Sequence, residues 1–155
     1  MRMNRHTLII VAAGGSAALL LAAFAFQHLG GMAPCKLCLW QRWPHAAAIA
    51  IGIIALAVPG RLFPALGGMA ALSTAGIGLY HTGVERGWWQ GPSTCTSAGT
   101  TGISAEALFD QIMAAPLVRC DDVPWEMWGL SMASWNTAIA LALALLWAMA
   151  ARGRV

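Results

Sequence analysis

The chain has 155 residues, of which 59% are hydrophobic and only 10% charged, with a formal net charge of +3 and four cysteines. Soluble domains sit near half apolar and a quarter charged, so the composition excludes an ordinary water-soluble enzyme and indicates a membrane protein.

Crossing a bilayer core takes roughly 17–25 residues of helix. Four stretches reach or approach that length: 7–29, 43–58, 62–84 and 133–151. The first follows Arg2 and Arg5 and precedes the small residues Gly30–Ala33, an arrangement shared with cleaved secretory signals. Its apolar run is longer than the roughly 7–15 residues of a signal core, so it reads as a retained span. Residues 30–42 then form a short loop carrying APCKLCLWQR at positions 33–42. The second span is the shortest, and its start either recruits Leu37 to Arg42 or lies at the interface. A helix beginning near Trp40 or Gln41 would hold Pro44 at little cost, whereas an earlier start implies a kink; the sequence leaves both open. Arg61 marks a very tight turn before the third span.

The long segment 85–132 opens with Trp88 and Trp89 and passes a Gly/Ser/Thr-rich loop around Cys95. A short helix is expected from Ser104 to Ala115, with Ser104 as its cap and Glu106 in its first turn. Leu108, Phe109, Ile112 and Met113 would share one face, and Glu106 and Asp110 another. Trp125, Trp128 and Trp135 suit the headgroup zone, so this segment is expected to lie on the membrane. The fold class that results is an all-α membrane protein, a single integral domain over 1–155. It is a four-transmembrane-helix bundle with one short loop helix. Arg2, Arg5, Arg61, Arg152 and Arg154 crowd into short segments on one side, which places both termini in the cytoplasm. Lys36, Arg42, Arg86, Arg119 and all six acidic residues then face outward.

Cys35, Cys38, Cys95 and Cys120 all fall on that outer side. In an oxidising compartment thiols pair, so the plain account is two structural disulfides, or one with two free thiols. A bridge between Cys35 and Cys38 closes too small a loop to remove much unfolded-state entropy. C-x-x-C is instead the spacing of reversible redox pairs, where nearby positive charge or a helix N-terminus lowers a thiol pKa. Zinc would favour two close pairs, but Cys95 and Cys120 are 25 positions apart; covalent haem would require histidine where Leu39 stands. No metal is therefore expected. A redox pair needs an electron acceptor, yet Gly76-Ile-Gly78 lacks the third glycine of a dinucleotide fingerprint and no room exists for such a domain. A lipid-soluble quinone is the simplest acceptor. Arg42 follows Cys38 by four positions, so in a helix the two share a face. A cation this near hydrocarbon is costly unless it is paired or snorkels to the surface.

These residues resemble the DsbB-type thiol:quinone oxidoreductases. Pro34-Cys35-x-x-Cys38-x-x-x-Arg42, preceded by Phe26-Gln27-His28, is similar to the family's first motif. Tyr80-His81 with Glu85 and Trp88-Trp89 resembles the end of its third helix. Cys95, Arg119-Cys120-Asp121, Pro124-Trp125 and Gly129-Leu130-Ser131 resemble its second outer loop. The resemblance implies that Cys95 forms the mixed disulfide with a reduced DsbA-like thioredoxin-fold partner of the periplasm, with Cys120 as its loop mate. Cys120 would then attack Cys35 and leave Cys38 as a thiolate beside a ubiquinone or menaquinone. It further implies that Arg42 stabilises thiolate and quinone, that His81 lies near the quinone to handle protons, and that the chain resides in a bacterial inner membrane. His81 and Glu85 also fit a plain i,i+4 surface pair, and Glu85 is left outside the expected site. His28 and His45 are read as interfacial. Two other readings stand beside this one: a quinone-linked enzyme of the vitamin K epoxide reductase type, and a non-enzymatic scaffold with structural disulfides.

Overall fold

A computed structural model describes residues 4–93, 95, 104–114 and 118–153, with backbone alone at 107, 108, 111, 112 and 114. Five helices occur among them: α1 (Arg5–His28), α2 (Lys36–Ala57), α3 (Leu62–Glu85), α4 (Ala105–Ala114) and α5 (Met132–Arg152). Helix starts follow from local chemistry, because the first N–H groups of a helix need outside acceptors. Asn4 Oδ1 accepts from the Thr7 amide at 2.8 Å. Ser131 Oγ accepts from the Ser134 amide at 3.2 Å. At the far end of α5, Gly153 takes the left-handed conformation (φ 59°) that stops a helix.

Three helices, α1, α3 and α5, are long and apolar enough to cross a membrane. Their bounds differ from the expected spans by no more than two residues at either end. The second helix differs more. It begins at Lys36 because the Cys35 side chain accepts the Cys38 amide, so the cysteine motif is itself the helix cap. Lys36, Gln41 and Arg42 thereby join the helix and dilute its apolar character. It runs unbroken through Pro44, whose missing N–H costs one intrahelical bond.

The four long helices pack in a closed circuit, α1 on α2, α2 on α3, α3 on α5 and α5 on α1. At one end Arg5 donates to the carbonyls of Ala55, Val58 and Gly60 at 3.0, 3.1 and 3.1 Å. This ties the start of α1 to the turn between α2 and α3. Leu8, Ile9, Ala55, Trp147 and Ala150 form the core beside it. Close approach relies on missing side chains: a Cβ on Gly52 would stand 2.5 Å from Ala13 Cβ, and one on Gly67 2.7 Å from the Trp147 ring. Outward faces carry exposed Leu21, Ile53, Leu62, Met69 and Leu145.

The opposite end holds the loops. Strands β1 (Glu126–Met127) and β2 (Leu130–Ser131) pair antiparallel, joined at Trp128 and Gly129. Both turn residues have positive φ, 54° and 72°, the geometry of a type I′ hairpin. Sequence reasoning placed only interfacial tryptophans here. The loop helix occupies Ala105–Ala114 with Glu106 in its first turn. Phe109 and Met113 are exposed on it. The expected end at Ala115 and the side chains of Leu108 and Ile112 lie outside the described residues, as do Arg2 and Arg154 of the orientation argument.

Candidate functional site

The start of α2, the end of α3 and the loop around Cys120 converge at the loop end of the bundle. There Cys95 and Cys120 form a disulfide, and the Cys120 amide donates to the Cys95 carbonyl at 2.6 Å. Both residues are buried and pack with Cys35, Leu37 and Val84. Cys35 and Cys38 are free thiols whose sulfurs lie 2.8 Å apart. The pairing that the sequence left open is thus one disulfide resting on one dithiol.

His81, from the last turn of α3, reaches into this junction. Its Nε2 is 3.5 Å from Cys35 Sγ and 3.8 Å from Glu85 Oε1. The Cys120 backbone carbonyl is a further hydrogen-bond acceptor for its ring. The other ring nitrogen, Nδ1, faces Gln41 Nε2 at 3.0 Å. His81 and Glu85 are therefore no surface pair, since both side chains are only 4% exposed. Glu85, left out of the expected site, accepts from Ser131 Oγ and belongs to the same pocket wall.

Arg42 is paired within the bundle. Its Nη1 donates to Gln27 Oε1 at 2.6 Å, its Nη2 approaches the Ala23 carbonyl at 3.5 Å, and the guanidinium stacks 4.9 Å from the Phe24 ring centre. These contacts from α1 offset the cost of a cation beside hydrocarbon. Cys38, Arg42, His81, Phe26, Trp135 and Asn136 share the wall of one cavity of about 730 Å³. The volume falls within the roughly 300–1,000 Å³ of small-molecule sites, and the apolar wall with few polar groups has their character.

Sequence reasoning missed several polar residues of this same wall. His45, expected at the interface, is buried, and its Nε2 meets Asn136 Oδ1 at 2.8 Å. His28, in contrast, is exposed and stacks on Phe24. Asn136 donates to Gln41 Oε1 at 2.8 Å and to Thr74 Oγ1 at 3.2 Å. A polar side chain inside an otherwise apolar helix was the available signal for Asn136 and Gln41. Beside the disulfide, Arg119 grips Asp121 with two bonds of 3.1 and 2.6 Å. That guanidinium holds the Asp121 carboxyl below its ordinary range.

Comparisons with known proteins point to one family. A family model described as disulfide bond formation protein DsbB matches residues 5–150. Disulfide bond formation protein B of Shewanella sp. (strain MR-4) is 31% identical over 132 residues, covering 81% of this chain and 75% of the relative. Disulfide bond formation protein B 2 of Pseudomonas aeruginosa is 31% identical over 145 residues, covering 88% and 83%. The Dechloromonas aromatica protein of the same description is 31% identical over 136 residues, covering 81% and 79%. No solved structure matches the chain.

Proposed function

Because the chain belongs to the DsbB family of disulfide bond formation proteins, a multi-pass membrane family of oxidoreductases, we propose that it is a thiol:quinone oxidoreductase. On this reading it reoxidises a DsbA-like thioredoxin-fold dithiol protein in the periplasm and passes the electrons to membrane ubiquinone or menaquinone. One observation carries the reading: the Cys95–Cys120 disulfide packs directly on Cys35, while Cys38 borders a cavity that Arg42 also lines.

The relay balances at each step. A partner thiolate attacks Cys95, forms a mixed disulfide and releases Cys120 as thiolate. The partner's second thiolate then displaces Cys95, and the partner leaves with its own disulfide. Cys120 attacks Cys35 of an oxidised Cys35–Cys38 pair, and Cys38 departs as thiolate. Cys95 next attacks Cys120, restoring the loop disulfide and releasing Cys35; two electrons now rest on the Cys35–Cys38 dithiol. A bound quinone supplies a two-electron, two-proton acceptor for that dithiol. The apolar cavity suits its ring, and Arg42 offers a fixed charge with several donors to the Cys38 thiolate and a ring oxygen.

The same reading makes α2 a fourth span, since Ile53, Ile54 and Leu56 are exposed on a face that only lipid would cover. It puts the Arg5 end in the cytoplasm of a bacterial inner membrane and the cysteine end in the periplasm. Anaerobic mixing of purified protein, reduced partner and quinone tests it, with quinol and oxidised partner expected in equal amounts. A reduced partner lacking its second cysteine should stay trapped on Cys95 of the intact chain, and Cys120→Ser should leave the C-x-x-C pair oxidisable by quinone. Finding the partner on Cys35 instead would reverse the assignment.

A further inference from the structure

Two residues with no assigned role determine which nitrogen of His81 carries the proton. The chain of hydrogen bonds has one fixed origin, the Leu37 backbone carbonyl, which can only accept. Gln41 Nε2 lies 3.2 Å from it, so this atom is the amide nitrogen and Oε1 is the acceptor on the other branch. Asn136 Nδ2 donates to that Oε1 at 2.8 Å and also to Thr74 Oγ1, whose own hydrogen goes to the Gln41 carbonyl at 3.0 Å. The amides of Gln41 and Asn136 thus lock each other's orientation. The second Gln41 N–H points at His81 Nδ1, 3.0 Å away, which must supply a lone pair. In the neutral ring the proton therefore sits on Nε2, facing Cys35 Sγ at 3.5 Å.

We propose that Gln41 and Asn136 are positioning residues that hold His81 in its Nε2–H form, making the ring a hydrogen-bond donor to the Cys35 sulfur. This rests on the relay above and gives His81 a task at the exchange junction in addition to the cavity. When Cys95 displaces Cys35 from Cys120, negative charge appears on Cys35 Sγ. An N–H already aimed there stabilises it without reorganisation, and the proton stays on Nε2 throughout. Nε2 also belongs to a group of three potential ligand atoms within 4.8 Å of one another, from Cys35, Cys38 and His81. Nε2 presents a proton to that space, where a metal needs a lone pair.

Two measurements on purified Cys38→Ser protein, with Cys35 a free thiol and Cys95–Cys120 still bonded, and without partner or quinone, test the assignment separately from the overall reaction. Nitrogen NMR of labelled histidines, with His81→Gln to identify the signal, should show Nε2 protonated and Nδ1 bare. Cys35 alkylation at neutral pH should slow about tenfold in Gln41→Leu, the effect of losing one hydrogen bond to a charged group, and by less in Asn136→Leu. Gln41→Glu should keep Cys35 reactive, because a carboxylate there draws a second proton to Nδ1 and leaves Nε2–H in place. Intact Cys95–Cys120 and unchanged thermal unfolding establish that each variant is folded. A wild-type signal showing Nδ1 protonated would overturn the proposal, even should Gln41→Leu fail to fold. So would wild-type alkylation of Cys35 in folded Gln41→Leu.

Discussion

Arg42 places a full charge one helical turn from Cys38, and its partners decide what that charge can do. Bonded to Gln27 and stacked on Phe24, the guanidinium is held at the cavity wall and does not swing out to the surface. Arg42→Met should reduce partner-to-quinone turnover about a hundredfold, the scale of removing one preorganised donor from a low-dielectric site. Exchange between the partner and Cys95 should stay near normal, since that disulfide is served by other residues. Arg42→Lys should recover part of the loss, because it restores charge without the planar fork. Stopped-flow quinone absorbance together with trapping of the mixed disulfide separates the two half-reactions; equal loss in both would reduce Arg42 to a structural anchor. The motif residues were legible because C-x-x-C and a following arginine are chemically unusual in apolar sequence. Gln41 was not, because its role lies in its hydrogen bonds to residues 40 and 95 positions away.

Helix packing depends on where side chains are missing. Gly52 and Gly14 look alike in sequence, yet a Cβ at Gly52 meets Ala13 at 2.5 Å while one at Gly14 meets nothing within 4 Å. Gly52→Ala should therefore cost about 1–3 kcal/mol through overpacking of α1 on α2. Gly14→Ala should be neutral or slightly stabilising through helix propensity. Thermal unfolding in detergent distinguishes them, and equal effects would refute the packing argument. The loop segment makes a pH prediction. Arg119 holds the Asp121 carboxyl below its ordinary range, so the folded loop favours the ionised form more than the unfolded one does. The contribution of this pair is present at neutral pH and is lost as pH falls through that lowered value. Reduction of Cys95–Cys120 by a water-soluble phosphine should accelerate on acidification below the ordinary carboxylate range in the wild type. In Asp121→Asn it should already be fast at neutral pH, with little further rise.

Across the whole molecule, the two ends of the bundle have different chemistry. One end carries Arg5 locked on the α2–α3 turn and an apolar core around Trp147. The other gathers every cysteine, His81, Glu85 and the hairpin that turns at Trp128. Reporter fusions after Gly153 and within Gly60–Arg61 should report the cytoplasm, and a fusion within α4 should report the periplasm. A periplasmic reading at Gly153 would refute the four-span arrangement and its orientation together.

By itself the sequence determined that this chain belongs in a membrane, where three of its long helices run to within two residues, and that its chemistry is thiol chemistry. Hydrophobic length and residue type are local properties, readable one segment at a time. Tertiary structure decided the rest. Which cysteines pair, that His81 touches Cys35, that the Glu85 side chain is enclosed, and that Asn136 and Gln41 lock one another all depend on side chains from distant parts of the chain meeting. The start of α2, in contrast, was set locally, with the Cys35 side chain as the helix cap. Hydrogen bonds between distant residues leave no spacing in the sequence, because packing, and not chain order, brings donor to acceptor.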